Sequence, residues 1–162
     1  MSATETLENS HLLVIQTLDD LPEAMWDMPG VSGDWSAKDI VAHLTSYELL
    51  LIDVLQAAKQ GVQPSPYVLR WKSSQETFNT EAVEARRYHT AQQVMNEYQD
   101  AQVRVSSALA ILTPELLDRK GTMPWLRDGE GSLADLIEVL GKHIQSHCEQ
   151  IEQFRSANKA SE

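Results

Sequence analysis

Basic residues are scarce in this sequence: 13 lysines and arginines stand against 24 acids, a formal net charge of −11 at pH 7. Nucleic acid and anionic membrane surfaces are both held through phosphates, so a chain with this balance has no footprint for either. The acidity itself favours solubility. Cysteine is scarcer still. Cys148 is the single one, so no internal disulfide can form and a reducing cytoplasm is the expected compartment. No run of about 18 apolar residues occurs, which argues against a membrane span. The opening Met1-Ser2-Ala3-Thr4-Glu5-Thr6 lacks the basic start and apolar stretch of a signal peptide. Strand-like alternation, internal repeats and low-complexity runs are also missing.

What remains is helical periodicity on a chain whose 162 residues suit one domain, 1–162, with one core. Four long segments place apolar residues at alternating steps of three and four. The first runs from about Thr4 to Trp26 with the stripe Leu7, His11, Val14, Leu18, Leu21 and Met25. Ser2 and Glu5 form its capping box, and Leu21-Pro22 should break or kink it. After a Gly/Pro-rich turn from Met28 to Asp34, Ser36 and Asp39 have the spacing to cap a second helix from about Ala37. Its inward stripe is Ile40, His43, Tyr47, Leu50 and Val54, and it fades near Gly61. Residues 62–72, with Pro64 and Pro66, read as a connection, and Ser74 to Tyr88 as a short surface helix.

A third long helix starts after Thr90, capped with Gln93, on the stripe Val94, Tyr98, Ala101, Val105, Ala108 and Leu112. Thr113-Pro114-Glu115 can cap one further turn. A second loop spans 121–131. Ser132 and Asp135 then cap the last helix, about Leu133 to Arg155, with the stripe Leu136, Leu140, His143, His147, Ile151 and Phe154. The expected fold is all-α: a four-helix bundle with a short extra helix between the second and third long helices.

Chemistry concentrates on histidine. His143 and His147 are four residues apart, so their imidazoles stand one above the other on one helical face. Both fall on the apolar stripe, as His43 does on the second helix. Three neutral imidazoles from two helices would make an open site for Zn²⁺ or a similar ion, with water or substrate in the remaining position. The competing reading is a set of hydrogen-bonded core histidines, and the spacing alone does not decide between them. The metal reading requires the second and fourth long helices to be neighbours.

Gly33-Asp34-Trp35-Ser36-Ala37-Lys38-Asp39-Ile40-Val41-Ala42-His43-Leu44 resembles the entry to the second helix of the DinB/YfiT-like superfamily, most of all its ClbS/DfsB-type branch. His143-x-x-x-His147-x-x-Gln150-Ile151 is similar to that superfamily's last-helix signature, although Cys148-Glu149 stands where many relatives have Arg-Gly. The resemblance covers nearly the whole chain in helix order. It implies a divalent metal, zinc or nickel, on His43, His143 and His147. It also implies an activity of the thiol-transferase or hydrolase kind, in which water or a low-molecular-weight thiol is activated against an electrophilic small molecule in detoxification or resistance. A homodimer fits the resemblance as well. A non-catalytic ligand- or metal-binding bundle and a structural or interaction protein are the alternatives, because a shared fold does not license a shared reaction.

Other residues carry lesser expectations. Tyr47, one turn beyond His43, can hold a substrate or donate a proton, or serve as an ordinary core tyrosine. Glu48 lies roughly 140° round the helix from His43 and should be solvated. No general base can be named. His11 can act as a fourth ligand or proton relay, or simply be partly buried; His89 should be exposed. Gln150, one turn beyond His147, can orient an imidazole or simply face the solvent boundary. Cys148 reads as an inert small hydrophobe. Trp35, Trp71 and Trp125 can wall a pocket mouth or pack on the bundle ends.

Overall fold

Four reciprocal caps set where the long helices begin. In the computed structural model, which describes residues 2–61 and 66–159, α1 (Ala3–Leu18) opens on the Ser2/Glu5 box, α2 (Ala37–Gln60) on Ser36/Asp39, and α5 (Ala91–Ala110) on Thr90/Gln93. At the start of α7 (Leu133–Lys159), Ser132 and Asp135 exchange the same pair of bonds at 3.0 and 3.1 Å. Each box satisfies two backbone donors that the first helical turn would otherwise leave unpaired. Between α2 and α5 lie two short helices, α3 (Pro66–Ser73) and α4 (Gln75–Glu84), and α6 (Pro114–Asp118) follows α5. No strand is present among the described residues.

The four long helices form the expected bundle. α1 packs along α7 and α2 along α5, while α2 also meets α7 and α1 meets α5. α1 and α2 therefore face each other across the diagonal of the core. The α1/α7 pair approaches closely at Gly141, where an added Cβ would stand 3.1 Å from Thr6 Cγ2; Ser10 Oγ donates to the Gly141 carbonyl at 3.1 Å. α2 is long and apolar enough to satisfy the length and hydropathy test for a membrane span, yet 78% of that window is buried inside the bundle. Its apolar character is that of a helix with protein on nearly every side.

Three boundaries differ from the sequence reading. α1 stops at Leu18, and Leu21 and Met25 reach the core through a 3₁₀ turn at Glu23–Met25, because Pro22 bars the helix from continuing. Residues 66–73 are helical and not a connection. Pro66 occupies the first helical position, where its missing N–H costs nothing, and the Asp53 carboxylate on α2 accepts from Tyr67 N at 3.1 Å. The intervening region thus holds two short helices where one was expected. α7 runs four residues past Arg155.

The loop before α7 folds back on itself. Gly121 N and Met123 N both donate to the Gly131 carbonyl at 3.0 Å, and Gly131 N donates to Leu126 O at 3.0 Å. Met123 is fully buried and pins this loop to the bundle, which fixes Trp125 beside α3.

Candidate metal centre

α2 and α7 are neighbours, the condition that the three-histidine reading requires. His43 Nε2 lies 3.1 Å from His143 Nε2, which lies 3.0 Å from His147 Nε2. Three nitrogens on a tetrahedral zinc, each about 2.05 Å away, stand about 3.3 Å apart, so the cluster already has nearly the spacing that a shared cation needs. Among the described residues it is the one group of three or more histidine, cysteine and carboxylate side chains close enough to share an ion.

The surroundings suit ligation. His147 Nδ1 is 2.7 Å from Gln150 Oε1. That oxygen only accepts, so Nδ1 carries the proton and the Nε2 lone pair turns toward the other two rings. His43 is held differently: its Nδ1 is buried without a hydrogen-bond partner, and the ring is packed by Trp35 and Tyr47 at centroid distances of 4.9 and 5.0 Å. Burial, reinforced by repulsion from the neighbouring rings, lowers the His43 pKa to about 3 and that of His143 to about 4. Burial lowers His147 too, against the stabilising bond from Gln150. All three imidazoles are therefore neutral near pH 7, the form that binds metal.

Above the cluster opens a cavity of about 490 Å³. Trp35, Trp71 and Trp125 all line it, as do Leu126 and Val139, so the tryptophans wall a pocket and do not merely close the bundle ends. Trp71 and Trp125 meet at a centroid distance of 5.4 Å and a tilt of 56°. Tyr47 lies in the same wall, 4.9 Å from the His143 ring, and its hydroxyl donates to Asn79 Oδ1 on α4 at 2.9 Å. Burial raises the Tyr47 pKa, opposed by Trp71 and Asn79, so the phenol keeps its proton at neutral pH.

Glu48 is placed differently from expectation. It is 3% exposed, and its Oε1 contacts His11 Nε2, a residue only 2% exposed, across the bundle diagonal. The 140° rotation from His43 turns it toward the α1 side of the core instead of toward water, because α2 is enclosed on both sides. Its Oε2 has no partner, and the nearby Tyr98 hydroxyl on α5 is likewise buried and unpartnered. His11 is thus committed to Glu48 and stands apart from the metal cluster. His89 is exposed, as expected. Cys148 is buried, and desolvation raises its thiol to about 11, which makes it a poor nucleophile.

The sequence reading missed Asn79 and Gln75, which reach the cavity from α4, and nothing in their spacing could have marked them. Glu48 did leave a signal. Leu44, Leu51, Ile52 and Leu55 flank it on faces away from His43, the pattern of a helix buried all round.

Bundle and cluster together define a helical protein with a buried histidine triad that could hold a metal ion. The chain belongs to the DinB superfamily, a metal-binding helical fold whose sequence profile matches residues 6–151. A crystal structure of a protein from Streptococcus pneumoniae superposes with a TM-score of 0.76 at 13% identity, covering 95% of this chain and 88% of that one. At that identity the likeness establishes the fold alone. No curated protein compared with the chain matches it.

Proposed function

We propose that the protein is a metal-dependent enzyme of the ClbS/DfsB type that turns water or a low-molecular-weight thiol on an electrophilic small molecule, in detoxification or resistance within a reducing cytoplasm. The carrying observation is the convergence of three Nε2 atoms at the floor of an aromatic-walled cavity. His43, His143 and His147 would hold the ion, zinc or nickel, and Gln150 would fix the tautomer of His147. A divalent ion so held supplies Lewis acidity and lowers the pKa of a nucleophile beside it. The tryptophans exclude water from the bound substrate. Tyr47 carries the one hydroxyl among the described lining residues; its proton, donated to Asn79 here, would have to turn from Asn79 to serve a leaving oxygen.

One observation favours a second reading, a binding module without turnover: among the described residues no carboxylate lines the cavity to act as general base. The first test is elemental analysis of untagged protein beside His43→Ala and His147→Ala. About one divalent ion per chain in the wild type and none in either variant supports the centre. No metal in the wild type after reloading with zinc and nickel refutes it. Turnover against a panel of electrophiles then separates enzyme from binder.

A further inference from the structure

The cavity above the histidines has uncharged walls. Among the described residues its lining contains no lysine, arginine, aspartate or glutamate; imidazoles, Tyr47, Asn79 and Gln75 are its polar groups. Two arginines adjacent in sequence to lining residues face partners of their own. Arg70 lies over the Tyr67 and Phe78 rings at 5.2 and 5.8 Å and 3.8 Å from Glu81, and Arg127 faces Asp135 at 3.4 Å. The Trp71 and Trp125 indole N–H groups are buried, that of Trp71 beside the Tyr47 hydroxyl, so these rings offer the cavity mainly carbon surface. Half-buried Leu126 and exposed Val139 continue that surface to the rim.

Moving an anion from water into such walls forfeits its hydration with no counter-charge from the lining side chains in return. The chain's charge of −11 adds a repulsive field on approach. A flat apolar body loses little in the same transfer and gains the faces of two indoles.

We propose that this cavity takes an uncharged, largely apolar small molecule with a ring seated against Trp71 and Trp125. The ligand class follows from the walls alone.

Calorimetric titration of the metal-free protein tests the ligand class apart from any turnover. Naphthalenemethanol, naphthalenesulfonate and glutathione serve as titrants. Naphthalenemethanol should bind at least about tenfold more tightly than the sulfonate, with no binding of glutathione. Trp71→Ala and Trp125→Ala should each weaken the alcohol by about tenfold. Gln75→Arg, a change at an exposed rim position that leaves the core untouched, should bring in sulfonate binding. Sulfonate binding equal to or tighter than the alcohol, binding of glutathione, or no binding of any titrant overturns the proposal. Alcohol binding in a protein that turns over no electrophile would instead sink the enzyme reading and leave the ligand class standing.

Discussion

Metal-free protein should lose about 3 kcal/mol of stability between pH 6.5 and about pH 5, and the histidine cluster should be the source. Burial and mutual repulsion hold His43 at about 3 and His143 at about 4, against 6.5 for a free imidazole. The native state thus stays neutral where the unfolded chain takes up protons. Stability is complete above pH 6.5 and falls as pH drops toward 4 and then 3, since the unfolded state binds more protons throughout that window. Integrating proton uptake over the first one and a half pH units gives about 1.6 kcal/mol per histidine, or about 3 kcal/mol for these two. His147, shifted the same way, adds to the loss. Urea unfolding in the presence of chelator, at both pH values, measures it. His43→Gln/His143→Gln should lose far less over the same interval, and this comparison removes contributions from the many surface acids. If wild type and double variant lose stability in parallel, the cluster does not titrate as its burial requires. Metal binding should weaken over the same range, because the ligating imidazoles must be unprotonated.

Two further changes probe the packing that supports the site. Glu48→Ala leaves the buried His11 without its partner and opens a void on the bundle diagonal; a loss of about 3–5 kcal/mol is expected by urea unfolding, and a loss under about 1 kcal/mol would show that the pair contributes little. Gly131→Ala would put a Cβ 2.7 Å from Leu126 Cβ and 2.9 Å from the Leu126 and Met123 carbonyls. The loop carrying Trp125 must then shift, at a cost of about 1–3 kcal/mol, with a matching change in Trp125 accessibility to a fluorescence quencher. An unchanged melting profile would mean that the loop is not held as tightly as its Gly131 bonds imply.

The local rules of the sequence settled most of the helical framework. All four capping boxes form where Ser or Thr precedes an acid or Gln by three residues, because the motif is complete within one turn and needs nothing distant. The stripes were legible for the same reason, and so was the pairing of His143 with His147, fixed by the 3.6-residue turn. Where the stripe reading drifted it was in detail: on α5, Leu109 is buried and Ala108 only partly so. Tertiary structure decided the rest. The contact of α2 with α7, which turns a lone His43 and an ordinary i, i+4 pair into one cluster, depends on how four similar stripes choose neighbours. Helix α3 took its N-terminal acceptor from Asp53, on another helix. Glu48 went inside because α1 supplied His11 across the core, and Asn79 reached Tyr47 because α4 folds over the cavity. Each of these is a bond between residues more than ten positions apart, and the energy that places such residues together comes from burying whole helix faces, which no short window of sequence contains.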